Sequence, residues 1–74
     1  MKNYKDINND SGIESYEYGD DWIAVKFKSG KTFKYEARNI GSGNLSAMKS
    51  KADAGDGLHS FINKNKTVKD GYSR

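Results

Sequence analysis

The chain has no cysteine and no proline, and only one histidine and one tryptophan among its 74 residues. Without thiols no disulfide can reinforce the fold and no Cys-rich zinc site can form, and a reducing compartment is the natural expectation. The longest apolar run is Trp22 to Val25, far too short for a membrane span or for the hydrophobic segment of a signal peptide. A soluble cytoplasmic protein with no membrane partner is therefore expected. Parts for catalysis are scarce as well. His59, the only histidine, has no sequence-adjacent carboxylate and no second histidine at ligand spacing, so a structural role is expected for it rather than catalysis or metal binding. Asp20 and Asp21 lie in a turn, where short acceptors bond nearby amides. Gly41-Ser42-Gly43 has neither the lysine nor the spacing of a Walker loop and reads as a flexible connection. A non-enzyme with no catalytic residue, no metal and no cofactor is expected.

What is present is organised around Trp22 to Tyr35. Ile23, Val25 and Phe27 alternate with Ala24, Lys26 and Lys28, and after Ser29-Gly30 the alternation resumes with Phe33 and Tyr35 against Thr32, Lys34 and Glu36. A period of two marks half-buried strands. Placing both apolar sets on one face pairs Val25 with Phe33 and Ile23 with Tyr35, which demands a three-residue loop, Lys28-Ser29-Gly30, rather than a two-residue one. Gly30 then falls where a left-handed residue precedes a bulge.

The elements around this hairpin follow in order. Residues 1 to 10 read as a flexible N-terminal arm. Asp6, Asn8, Asp10 and Glu17 nearly reproduce a calcium loop, but Ser11 stands at the sharp-turn position and the flanks do not read as helices, so chance is the better explanation. Ile13 to Tyr18 reads as the first strand, with two registers available. A two-residue Gly19-Asp20 turn sets Tyr16 opposite Ile23 on the core face; a three-residue turn buries Ile13 opposite Phe27 and turns the tyrosines outward. The first is favoured, with Ile13 under an end of the sheet.

Arg38 to Gly43 reads as a polar connection ending in a helix cap, Ser42. Leu45, Met48 and Ala52 mark a helix from Asn44 to Ala54 that presents Lys49, Lys51 and Asp53 to water. Gly55 ends it. Asp56 is placed to cap a second helix, Gly57 to Asn65, with Leu58, Phe61 and Ile62 on one stripe. The expected fold is α+β: a three-stranded antiparallel meander packed on one face by two short C-terminal helices, with residues 66 to 74 a flexible tail.

Ser11-Gly12-Ile13 leading to Tyr16, Ile23-Ala24-Val25-Lys26-Phe27 with Ser29-Gly30, Phe33-Lys34-Tyr35, and Ala54-Gly55-Asp56-Gly57-Leu58-His59-Ser60-Phe61-Ile62-Asn63 form an ordered set. This set resembles the KTSC domain, a small module seen as stand-alone bacterial and phage proteins and at the C-terminus of some lysyl-tRNA synthetases. The likeness covers most of residues 11 to 65. It departs from the family at Phe33, where the third strand's Tyr-x-Tyr motif has its first tyrosine, and in lacking the Val-Pro element that often follows. The resemblance implies a single domain over residues 11 to 65, of unknown role, with RNA binding suggested by the synthetase fusion.

Charge points to a face. Residues 1 to 21, 22 to 51 and 52 to 74 carry net charges of −4, +6 and +1. With the hairpin register above, Trp22, Lys26 and Lys34 share the face away from the helices, and Lys28 and Lys31 sit at its turn end. An aromatic among lysines is the composition of a single-stranded nucleic-acid platform, RNA or DNA, where rings stack on bases and ammonium groups neutralise phosphates. The plainer reading makes the lysines solubilising and packs Trp22 across Glu17. A second functional reading is a protein-interaction or homodimerisation module using Trp22, Tyr16 or Tyr18 and a sheet edge.

Overall fold

The computed structural model describes residues 2 to 5 and 12 to 73. Nine elements follow one another: β1 (Lys2–Asn3), β2 (Ile13–Tyr18), β3 (Trp22–Phe27), β4 (Thr32–Glu36), α1 (Ala37–Ile40), α2 (Ser42–Ala54), α3 (Leu58–Lys64), α4 (Lys66–Asp70) and β5 (Tyr72–Ser73). The strands form one antiparallel sheet in the order β1-β2-β3-β4-β5. The class is α+β, but the expected three strands become five and the expected two helices become four. Three of the additions, β1, α4 and β5, come from the segments expected to be a flexible arm and tail, and α1 from the connection after β4. β1 pairs with β2, and Tyr4 beside it is buried; Val68 of α4 is fully buried and β5 pairs with β4. Two-residue strands are too short to leave an alternating pattern, and Tyr4 and Val68, the residues described as buried in these segments, form no stripe.

The central hairpin has the register that its alternation demands: Trp22 opposite Glu36, Ile23 opposite Tyr35, Ala24 opposite Lys34, Val25 opposite Phe33 and Lys26 opposite Thr32. Its turn closes with Gly30 N–H donating to the Phe27 carbonyl at 2.9 Å, and Gly30 has φ +94°. Glycine takes this conformation without the Cβ penalty.

The β2–β3 pairing has neither turn expected from the sequence, though it buries Tyr16, as the favoured reading has it, and sets Ile13 opposite Phe27, as the other does. Tyr18 faces Ile23 and Tyr16 faces Val25, so the tight loop is Asp20-Asp21, closed by Gly19 N–H donating to the Trp22 carbonyl at 3.1 Å. The register then shifts by one between Ser15 and Ile13, which brings Ile13 opposite Phe27. An extra residue in one strand is a β-bulge, and it changes which face later side chains take. Ile13 and Tyr16 are therefore both buried in the core, a combination no uninterrupted register permits.

The helices cover the face that carries Ile23, Val25 and Tyr35. Leu45, Met48 and Ala52 of α2, Leu58 and Ile62 of α3, and Ile40 of α1 join these strand residues in one core. The connection expected over residues 38 to 43 is largely helical. Ile40 is buried, and the Asn44 side chain donates to its carbonyl at 2.7 Å. Neither expected cap stands at a cap position: Gly41 precedes α2, Gly57 precedes α3, and neither helix has a side-chain cap bond. Gly55 does end α2, at φ +74°, with its own N–H and that of Asp56 turned back to the Lys51 carbonyl. That is a left-handed helix stop of the Schellman type. A Cβ on Gly55 would collide with Lys5, so the segment after β1 packs directly on this stop.

Candidate nucleic-acid interface

The structure brings Trp22, Lys26 and Lys34 onto the sheet face opposite the helices and leaves Lys28 and Lys31 exposed at the hairpin end. Trp22 is half-buried. It does not pack across Glu17, which stands opposite Ala24; its indole lies against the Gly19 turn, where an added Cβ would strike the ring nitrogen. The Lys34 ammonium sits 5.0 Å from the indole centroid, a cation–π contact. Lys34 also lies 3.8 Å from Glu36, which in turn accepts from Arg38 at 2.7 Å. Lys26 pairs with Glu14 at 3.2 Å. The Lys26–Glu14 pair is solvent-exposed and weak, and Glu36 is half-buried. Asp21, Trp22, Lys34, Glu36 and Arg38 line a shallow depression of ≈ 380 Å³.

A second polar cluster joins β2 to α2. Asp53, expected to face water, accepts from the Tyr16 hydroxyl at 2.7 Å and from the Tyr18 hydroxyl at 2.6 Å. The two rings stack at 6.2 Å, and the ammonium groups of Lys49 and Lys2 lie 5.2 and 5.9 Å from the Tyr18 ring. Burial, then the bond to Asp53, pushes the Tyr16 hydroxyl up to about 12. The Tyr18 hydroxyl is raised chiefly by its bond to Asp53. The Asp53 carboxyl is held low by the bonds from Tyr18 and Tyr16. Both hydroxyls are thus kept as donors and the carboxylate as acceptor, which holds the clasp between β2 and α2. The sequence carries two tyrosines at alternate strand positions, but nothing in it marks their partner 35 to 37 residues later.

The remaining candidates resolve simply. His59 is half-buried, and its Nε2 lies 3.0 Å from the Asn63 side chain one helical turn away. Among the described residues no group of three or more His, Cys, Asp or Glu gathers to hold a metal. Gly41 makes the joint between α1 and α2, with φ +87° and its N–H donating to the Ala37 carbonyl at 2.7 Å. Asp6, Asn8, Asp10 and Ser11 of the calcium-like stretch lie outside the described residues. No described helix is long and apolar enough to cross a membrane. No protein-family model, no curated protein and no solved structure matches the chain.

Proposed function

We propose that this is a cytoplasmic, non-enzymatic binding domain whose ligand is single-stranded nucleic acid, RNA or DNA, held on the open face of the sheet. The observation that carries this reading is the placement of the Trp22 ring, with Lys34 against it and Lys26 four residues along the same strand face, on the side the helices leave uncovered. Trp22 is the stacking surface, while Lys26, Lys28, Lys31 and Lys34 meet phosphates along a strand running toward the hairpin end. The resemblance to the KTSC module, with its synthetase fusion, supports RNA in particular. Two features weigh against a protein-interaction or homodimer module. The sheet edges are closed by two-residue strands, which blunt edge pairing. Tyr18 is the only large hydrophobic residue that is exposed among those described.

Fluorescent single-stranded RNA and DNA oligonucleotides test the reading. Binding is expected at low salt, weakening by roughly 0.7 log units per log of salt for each phosphate neutralised. Lys26→Glu with Lys34→Glu should weaken it by more than about tenfold, through the loss and reversal of two phosphate contacts. Affinity unchanged in that double variant, or no low-salt binding at all, overturns the proposal. Sedimentation over a range of protein concentrations tests the homodimer: a monomer throughout removes it.

A further inference from the structure

A cleft of ≈ 530 Å³ opens on the helical side of the molecule, lined by Lys51 at the end of α2 and by Lys64 and Lys66 on either side of the α3–α4 corner. No acidic residue among those described lines it. Among the described residues no ion pair engages any of the three lysines, whereas Lys26 and Lys34 on the sheet face both have carboxylate partners. Like charges gathered without counter-charge are unfavourable in the empty site and focus a positive potential within it.

The cleft is also built. The Asn65 side chain accepts from the Val68 N–H at 3.4 Å and donates to Asn44 at 3.0 Å, pinning the corner between the two helices and so the bases of Lys64 and Lys66. Lys51 is held by different means: its ammonium lies 5.7 Å from the Phe61 centroid and passes beside Gly57. Two of the three lysines come from the C-terminal segment whose net charge is only +1, so the site is invisible to a charge count along the chain.

We propose that this cleft binds a phosphorylated ligand carrying adjacent phosphates, as in a diphosphate or triphosphate group, with Lys51, Lys64 and Lys66 as the phosphate ligands. Three lysines lining one open depression match the charge density of linked phosphates better than a singly charged carboxylate does. The volume lies within the range of small-ligand sites and admits more than the phosphates alone. Such a group comes either from a free nucleotide or from the 5′ end of a nucleic-acid strand, and the site is independent of the sheet-face reading.

The test is an amide chemical-shift titration of the full chain with pyrophosphate, with ATP, and with a short oligonucleotide bearing either a 5′-triphosphate or a 5′-hydroxyl. Pyrophosphate should give saturable shifts over residues 57 to 66 and at Lys51, exceeding those from sulfate at equal ionic strength. Lys64→Gln with Lys66→Gln should weaken binding by about tenfold or more, since two charge-assisted hydrogen bonds are lost; both side chains are exposed, and an otherwise unchanged amide spectrum establishes that the variant folds. Lys26→Glu with Lys34→Glu should leave pyrophosphate binding intact. Tighter binding of ATP than of pyrophosphate identifies a free nucleotide as the source, and preference for the 5′-triphosphate strand identifies a strand end. Shifts no larger than those from sulfate, or spread equally over all lysines, overturn the proposal, as does undiminished binding in the Lys64/Lys66 variant.

Discussion

The open face of the sheet and the cleft beside the α3–α4 corner both place lysines around an aromatic ring, but they meet their charge differently. On the sheet, Lys26 pairs with Glu14 and Lys34 with Glu36, and the indole of Trp22 lies against Lys34. In the cleft, Lys51, Lys64 and Lys66 line an open depression with no carboxylate among the described lining residues. The sheet face belongs to the segment with net charge +6, yet part of its positive charge is neutralised by acids from the same and neighbouring strands. Charge along a chain and potential at a surface are therefore different quantities. The first is a sum over neighbours in sequence, the second over neighbours in space.

The two regions share one core, and the largest effect expected is one that removes both. Met48, fully buried in α2, packs in the core between sheet and helices. Met48→Ala should cost about 2–5 kcal/mol, read from the denaturation midpoint, and the sheet face and the cleft should be lost in a single transition. Separate transitions for Trp22 fluorescence and for the amides of α3 would break the link.

Gly19→Ala separates the regions. A methyl group there strikes the Trp22 ring nitrogen, so the indole must leave its place over the turn. A shifted tryptophan emission is expected, together with a loss of oligonucleotide affinity worth about 1–3 kcal/mol, the usual value of one stacked base. Pyrophosphate binding should not change. The converse substitution is Asn65→Ala, which removes the α4 cap and the tie to Asn44. It should cost about 1 kcal/mol of stability and broaden amide signals around the cleft, while leaving Trp22 emission as it was.

The smallest effect expected is a pH dependence that belongs to the Tyr16–Tyr18–Asp53 clasp. Folding raises the Tyr16 hydroxyl from 10.0 to about 12, so the neutral form is favoured in the folded state. Its contribution is complete below pH 10 and is lost as pH rises toward about 12. Asp53 is shifted the other way: its folded carboxyl lies below the usual 3.8, so its contribution is present above that value and lost as pH falls beneath it. Tyr16→Phe should flatten the alkaline limb of the stability profile, and Asp53→Asn the acid limb, with denaturation across pH as the measurement. An unchanged alkaline limb in Tyr16→Phe would show that other groups set it.

Much of the fold could be read from residue order, and the exceptions share a cause. Alternation over Ile23 to Tyr35 dictated every pair of the central hairpin, because a one-residue slip would send its whole apolar set to solvent. The two main helices followed from Leu45, Met48 and Ala52 and from Leu58 and Ile62, all of which are buried. The first strand was legible over Ile13 to Tyr18, but its register escaped because a bulge satisfied Ile13 and Tyr16 together, and a bulge has no periodic signature. Tyr4 and Val68 escaped because each lies in a polar segment with too few apolar residues to set a period. At the candidate interface, the register placed Trp22, Lys26 and Lys34 on one face, but the carboxylates beside the lysines were not legible, since side-chain reach and rotamer decide them.

By itself, then, the sequence determined the register of Trp22 to Tyr35, the left-handed Gly30, the α+β class and the face that the helices cover, because each is enforced by the repeating separation of apolar from polar residues over a short span. Only the tertiary structure decided that Asp53 closes onto two tyrosines, that the chain ends complete the sheet, and that Lys51, Lys64 and Lys66 surround one cleft. Those contacts join residues brought together by the packing of the core, and no local periodicity encodes them.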